Sequence, residues 1–185
     1  MRTFIAIKIP VEQKLKVVLR ELKDALSFER IKWVDFHTLH LTLFFLGDTP
    51  APVVDRIGNL FKEHLYGFSE FSISIKGLGV FGSKANPKVL WVGVEPNPEL
   101  KLLERKVVEL IEPLGYKPDA RGFNPHITIG RIKSVGDTGL LDELVLEHET
   151  LLFQQSCIDE VILYKSELMP QGPRYTPIAS QRLCK

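Results

Sequence analysis

Two segments of the chain carry the same pair of polar side chains in apolar surroundings. One reads HLTLFFLG, from His40 to Gly47, and the other HITIGR, from His126 to Arg131. An extended strand turns successive side chains to opposite faces. His40 and Thr42 therefore share one face while Leu41 and Leu43 take the other, and His126 and Thr128 likewise stand opposite Ile127 and Ile129. Two imidazoles with two hydroxyls suit phosphoryl transfer by general acid–base catalysis. An imidazole titrates near pH ~6.5, so it serves as acid or base at neutral pH. One ring can take a proton from an attacking water while the other gives one to the departing alcohol. The hydroxyls of Thr42 and Thr128 can donate to non-bridging phosphate oxygens, where charge builds in the transition state. In-line displacement needs base and acid on opposite sides of phosphorus, so the two strands must face one another.

The elements around them supply that arrangement. The opening run TFIAIKI reads as a strand, followed by Leu15, Val18, Leu19, Leu22 and Leu26 at helical spacing, with Pro10 suited to the first turn. After Trp33-Val34 comes the first motif strand, closed by Gly47. A second helix carries Val54, Ile57, Leu60, Phe61 and Leu65, and FSISIKGLGVF alternates as a strand through Phe71, Ile73 and Ile75. SKANPK is a turn and VLWVGVE another strand. A third helix bears Leu103, Val107, Leu110, Ile111 and Leu114 and stops at Gly115. The second motif strand, a short helix in GLLDELVLE, and strands around TLLFQQSC, EVILYKS and RYTPIASQRL complete the chain.

An internal repeat runs through this order. His126 − His40 is 86 and Pro96 − Pro10 is also 86, although the helices do not keep strict register at that offset. Each half reads strand, proline, helix, turn, motif strand, which makes a duplicated βαβ-like unit at roughly residues 1–50 and 88–133 of one two-lobed domain spanning 1–185. Packed as symmetric halves, the lobes would bring the two histidines together from opposite walls of one cleft.

Rival chemistries fit less well. A lone histidine on a strand is usually a structural residue, and it is the repetition that favours function. In HTLH, His37 and His40 stand three apart, on opposite faces of a strand; neither motif has an adjacent carboxylate, and a zinc site needs three or four convergent ligands. No metal and no cofactor is expected. His64 and His148 read as solvated positions. There is no G-x-S-x-G elbow, and the glycine-rich GLGVFG, Gly77 to Gly82, follows a strand with no helix behind it, which fits a tight backbone path better than a nucleotide loop.

Composition narrows the class further. The 185 residues are 44% hydrophobic and 25% charged, as in an ordinary globular protein, and a net charge of +1 gives no global attraction to nucleic acid or membrane. No run approaches the ~18 apolar residues of a membrane span, and MRTFIAIKIP lacks the pattern of a secretory signal. Cys157 and Cys184 form no CxxC pair. The expected setting is the reduced cytoplasm, and the expected state a monomer, since the cleft forms within one chain.

FIAIKIP, HLTLFFLG, NPKVLWVGV, NPHITIGR and the closing LYKSELMPQGPRYTPI together resemble the two-histidine phosphoesterase superfamily, in order and across nearly the whole chain. Within it the chain is similar to the RNA 2′,3′-cyclic phosphodiesterases, also called 2′-5′ RNA ligases. The resemblance implies an α+β, LigT-like fold of two pseudo-symmetric lobes, with antiparallel sheets flanked by helices around a central cleft. It implies metal-independent opening of 2′,3′-cyclic phosphate ends to 2′-phosphates, with a reversible 2′-5′ ligation in some members. His40 would then be the proton donor and His126 the proton acceptor. The partners would be RNA 3′ ends or small cyclic-phosphate nucleotides such as ADP-ribose 1″,2″-cyclic phosphate; a nucleotide-binding module without turnover is the alternative from another class.

For substrate contacts, alternation places Phe44 on the His40 face, the best of the candidate stacking residues Phe44, Phe45, Phe81 and Tyr175. Lys84, Lys88 and Arg174 are candidate cations. The resemblance also points to Arg131 near the phosphate; strict alternation turns it away from His126, and a bulge at Gly130 would bring it back.

Overall fold

The computed structural model describes residues 1–170 and 172–185; Gln171, inside the closing motif, lies outside the described residues. The first apolar run forms β1 (Arg2–Lys8), and α1 (Gln13–Ala25) follows with Leu15, Val18, Leu19 and Leu22 on its buried face. A short β2 (Arg30–Trp33) and a 3-10 turn at Phe36–Thr38 lead into the first motif strand, β3 (His40–Asp48). After α2 (Ala51–His64), the hairpin β4 (Phe71–Ser83) and β5 (Asn86–Val94) precedes α3 (Pro98–Ile111). Asn97 caps α3 by accepting from the Leu100 N–H at 2.8 Å. The second motif strand is β6 (His126–Ser134), followed by α4 (Thr138–Glu147), β7 (Leu152–Ile158), β8 (Glu160–Met169) and β9 (Gly172–Arg182).

The strands make one antiparallel sheet in the order β7-β4-β5-β6-β3-β1-β8-β9, with β2 paired to β6. The architecture is α+β, and the sheet does not close on itself. Its order reads the same outward from the middle: each motif strand is followed by the first strand of its own half and then by two more. The two motif strands pair at one position, Leu41 opposite Ile127, and β2 of the first half runs along the rest of β6. These two residues hold the same place in their motifs, so the axis relating the lobes passes between them.

Register refines the repeat. On β1 and β3, Ile5 faces Phe44, Ala6 faces Thr42 and Lys8 faces His40; on β5 and β6, Leu90 faces Gly130, Trp91 faces Thr128 and Gly93 faces His126. The motif strands correspond at an offset of 86, whereas Ile5 and Leu90, Ala6 and Trp91, or Lys8 and Gly93 differ by 85. The helices follow the shorter offset, with Leu15, Val18 and Leu22 of α1 matched by buried Leu100, Leu103 and Val107 of α3. The helices miss register at 86 because one residue is gained between helix and motif strand.

The two faces of the sheet do different work. Ile5 and Ile7 enter the main core beneath the helices, while Phe4 and Ala6 join Ile162 and Tyr164 in a smaller cluster on the cleft face. Buried Gln154 of β7 ties the far edge to the link after β1. Its Nε2 donates to the Pro10 carbonyl at 2.8 Å, and its Oε1 accepts from the Glu12 N–H at 2.9 Å. Among the described residues no helix is long and apolar enough to cross a membrane.

Candidate active site

Both motif strands break their alternation at the same point. On β3, Leu43 has no partner between the pairs Ala6–Thr42 and Ile5–Phe44, and on β6, Ile129 has none between Trp91–Thr128 and Leu90–Gly130. Each is a β-bulge, which puts two consecutive side chains on the core side and shifts the phase of all that follow. Phe44 is consequently 3% exposed, in the core, and Phe45 is 67% exposed, over the cleft. This corrects the expectation for Phe44: simple alternation holds only as far as Thr42. On β6 the bulge turns Arg131 to the cleft. Gly130 takes the place of Phe44 there because a Cβ would stand 2.9 Å from Ile31 Cγ2 of the neighbouring β2.

His40, Thr42, His126 and Thr128 line one cavity of about 200 Å³, together with Phe45, Arg131, Tyr175 and residues of the Lys32–Asp35 segment. The two imidazoles are held alike. His40 Nδ1 lies 2.7 Å from the Thr38 carbonyl, and His126 Nδ1 lies 2.8 Å from the Asn124 carbonyl. A carbonyl only accepts, so each Nδ1 carries a proton and donates it, leaving each Nε2 for the chemistry. The turn at Phe36–Thr38 exists where it does because Asp35 accepts from the His37 N–H at 2.7 Å, which helps set the Thr38 carbonyl in place.

The walls differ between the two rings. His40 packs against Phe4 at 5.0 Å between centroids and edge-on against Tyr175 at 5.1 Å, with Tyr164 behind. His126 meets Phe81 edge-on at 4.8 Å, and Phe81 in turn leans on Trp91. The Trp91 ring occupies space that a side chain at Gly79 would need, since a Cβ there would fall 2.2 Å from its Cζ2. Glycine in GLGVFG thus serves packing beneath a catalytic candidate. Burial holds His40 below the ordinary imidazole range, partly opposed by its bond to Thr38, and the charges of Arg131 and His126 lower it further. Burial likewise pushes the Tyr175 hydroxyl up, with Arg131 drawing it back.

Several expectations land elsewhere. Lys84, Lys88 and Arg174 are exposed and do not line the cavity; Lys84 approaches Asp142 at 3.6 Å and Arg174 approaches Glu167 at 3.9 Å. His148 is half-buried where a solvated position was expected: its Nδ1–H donates to the Leu144 carbonyl and its ring stacks on Phe153. Phe4 and Tyr164 escaped sequence reasoning, since nothing local marks the cleft face of β1 or β8. Among the described residues no group of three His, Cys, Asp or Glu side chains is placed to hold a metal ion.

The sequence pattern of the 2′-5′ RNA ligase superfamily matches residues 11–167. The chain belongs to that superfamily. Curated members with the printed name RNA 2′,3′-cyclic phosphodiesterase include one from Methanothermobacter thermautotrophicus, 34% identical and aligned over 99% of both chains. Another, from Aquifex aeolicus, is 39% identical over 80% of this chain and 79% of its own. Among solved structures, one from Thermus thermophilus superposes with a TM-score of 0.80 at 27% identity, covering 99% of this chain and 98% of its own. E. coli LigT shares the fold at a TM-score of 0.74 and 24% identity, covering 100% and 98%.

Proposed function

We propose that this superfamily member hydrolyses 2′,3′-cyclic phosphate ends of RNA to 2′-phosphates, using His40 and His126 as the acid–base pair without a metal. The observation that carries the reading is the matched presentation of two Nε2 atoms, with two threonine hydroxyls, into one cavity of about 200 Å³. The relatives' shared name supports the substrate class, and a protein of the same fold has been crystallised with 3′-AMP.

In the proposed reaction, His126 Nε2 takes a proton from water as the water oxygen bonds to phosphorus. The P–O3′ bond breaks, and O3′ takes a proton from His40 Nε2. A 2′-phosphate and a 3′-hydroxyl result, with the proton now on His126 and lost from His40. Because His40 already spends its Nδ1–H on Thr38, a proton-donating His40 is an imidazolium. Burial opposes that charge, and an anionic phosphate bound beside the ring offsets the opposition. Thr42, Thr128 and Arg131 stabilise the charge on the non-bridging oxygens, and Phe45 offers a face for the terminal base. Replacing water by an RNA 5′-hydroxyl turns the same steps into reversible 2′-5′ joining.

The test is a short RNA ending in a 2′,3′-cyclic phosphate, incubated in EDTA with wild type, His40→Ala and His126→Ala. A 2′-phosphate formed by wild type and by neither variant is expected. RNA bound but unchanged by wild type would make the cleft a binding module.

A further inference from the structure

Three cavities meet at the histidines, and their sizes sort the parts of a nucleotide among them. The central one, about 200 Å³, suits a phosphate. Beyond His40, the space bounded by Tyr175 and Pro177 is about 150 Å³, below the roughly 300–1,000 Å³ of ligand pockets. On the other flank, Thr42, Phe45 and His126 also border a groove of about 490 Å³ against α3. Of the three, this groove has room for the nucleoside that carries the phosphate.

Glu104 lines that groove. At the helix offset of 85 its counterpart is Leu19, which is 2% exposed in the core. Leu15, Val18 and Leu22 of α1 have buried apolar counterparts in Leu100, Leu103 and Val107 of α3, so at this position a carboxylate stands where the repeat places a core leucine. Glu104 is half-buried. Among the described residues no hydrogen bond holds it, and burial pushes its carboxyl above the usual range against the pull of Arg105 and Lys101. Its carboxylate is thus partly stripped of water with no protein donor in exchange. A bound ligand that brings donors would make good that loss.

We propose that Glu104 reads the base of the 3′-terminal nucleotide and favours guanine. An ionised carboxylate accepts hydrogen bonds and donates none. The Watson–Crick edge of guanine presents two adjacent N–H donors, which two carboxylate oxygens can accept side by side. Adenine and cytosine set an acceptor nitrogen beside their amino group, and uracil flanks one N–H with two carbonyls. With the base stacked on Phe45, as single-stranded RNA ends are commonly held, its edge is free to be read from the helix side. The proposal rests on the cyclic-phosphate reading above and names its terminal base.

The deciding experiment compares kcat/KM for guanosine, adenosine, cytidine and uridine 2′,3′-cyclic phosphates with wild type, Glu104→Gln and Glu104→Leu. Wild type should favour guanosine by about tenfold, the low end for a bidentate base contact, and both variants should level the ranking with little change for adenosine. Leucine restores the residue its counterpart carries, so that variant tests the charge without straining the helix. An unchanged ranking, or a wild type indifferent to guanine, overturns the proposal. If wild type turned over no cyclic phosphate, the proposed function would fail by itself. Equilibrium binding of guanosine and adenosine 2′-monophosphates to the same three proteins would then decide the role of Glu104.

Discussion

His40 and His126 stand on strands that match residue for residue, yet the walls around them are built differently. Both rings donate Nδ1–H to a carbonyl two residues upstream, and both strands bulge one residue after the threonine. Around His40 the wall is Phe4, Tyr164 and Tyr175, a closed aromatic box; around His126 it is Phe81 with Trp91 behind, beside the open groove. The residue each bulge turns into the cleft is Phe45 on one side and Arg131 on the other. Apart from the histidine and threonine themselves, what is shared is a matter of backbone: strand register, bulge position, and the carbonyl that fixes a tautomer. What differs is side chain. Matched strands can therefore hold two imidazoles in matched poses while each side of the cleft carries its own neighbouring side chains.

The sharpest way to break the comparison is to remove the rings. His40→Ala and His126→Ala should each cost about 10²–10⁴ in kcat, the usual worth of a positioned acid or base. The double variant should be little worse than either single, because the two act as a unit. A phosphodiester with a nitrophenyl leaving group needs no proton on departure. If His40 is the donor, His40→Ala recovers most of its rate on that substrate and His126→Ala does not. The opposite pattern would exchange their roles.

Next in size are the bulge residues. Arg131→Met should lower kcat by about 10²-fold, as for the loss of one preorganised group facing transition-state charge. Phe45→Leu should instead raise KM by about tenfold with kcat nearly unchanged, within the ~1–3 kcal/mol of a base stacked on an aromatic ring. Equal effects on kcat at both positions would mean that the bulges do not divide phosphate from base.

The pH profile tests the closed wall. With His40 as donor, the free enzyme must carry it protonated, so kcat/KM falls as pH rises through its pKa. Burial and the charges of Arg131 and His126 lower that value, so this falling limb should lie below the ordinary ~6.5 of imidazole. Tyr175→Ala lets water reach the ring and Arg131→Met removes a positive neighbour; each should move the limb upward. Movement of the rising limb instead would identify His40 as the base.

Much of this site was legible because its rules are local. The face that His40 and His126 share with Thr42 and Thr128, and the buried faces of the helices, follow from periods of two and 3.6. The choice between Phe44 and Phe45 was not legible, since a bulge is decided by pairing with β1, nearly forty residues upstream. Gly130 hinted at a bulge, which the structure places one residue earlier at Ile129; beside Leu43, Phe44 is an ordinary strand residue and hinted at nothing. The offset of 86 between the motifs is plain in the sequence, whereas the buried residues of α1 and α3 correspond at 85 and so show no register at 86. Tyr164 and Phe4 reach His40 through a strand order that joins the two ends of the chain, which no local pattern carries.

The smallest effect probes the other wall. In Gly79→Ala the new methyl would collide with the Trp91 ring, and overpacking of this kind costs about 1–3 kcal/mol. The ring must then shift, and Phe81, which leans on it and meets His126 edge-on, must follow. The expected outcome is a lower denaturation midpoint together with a loss of kcat that exceeds any change in KM. Nothing in the variant touches the groove, so guanosine and adenosine substrates should suffer alike. Were the loss confined to stability, with kcat intact, the Trp91–Phe81 stack would be packing alone, and the Nδ1 bond to Asn124 would suffice to hold His126.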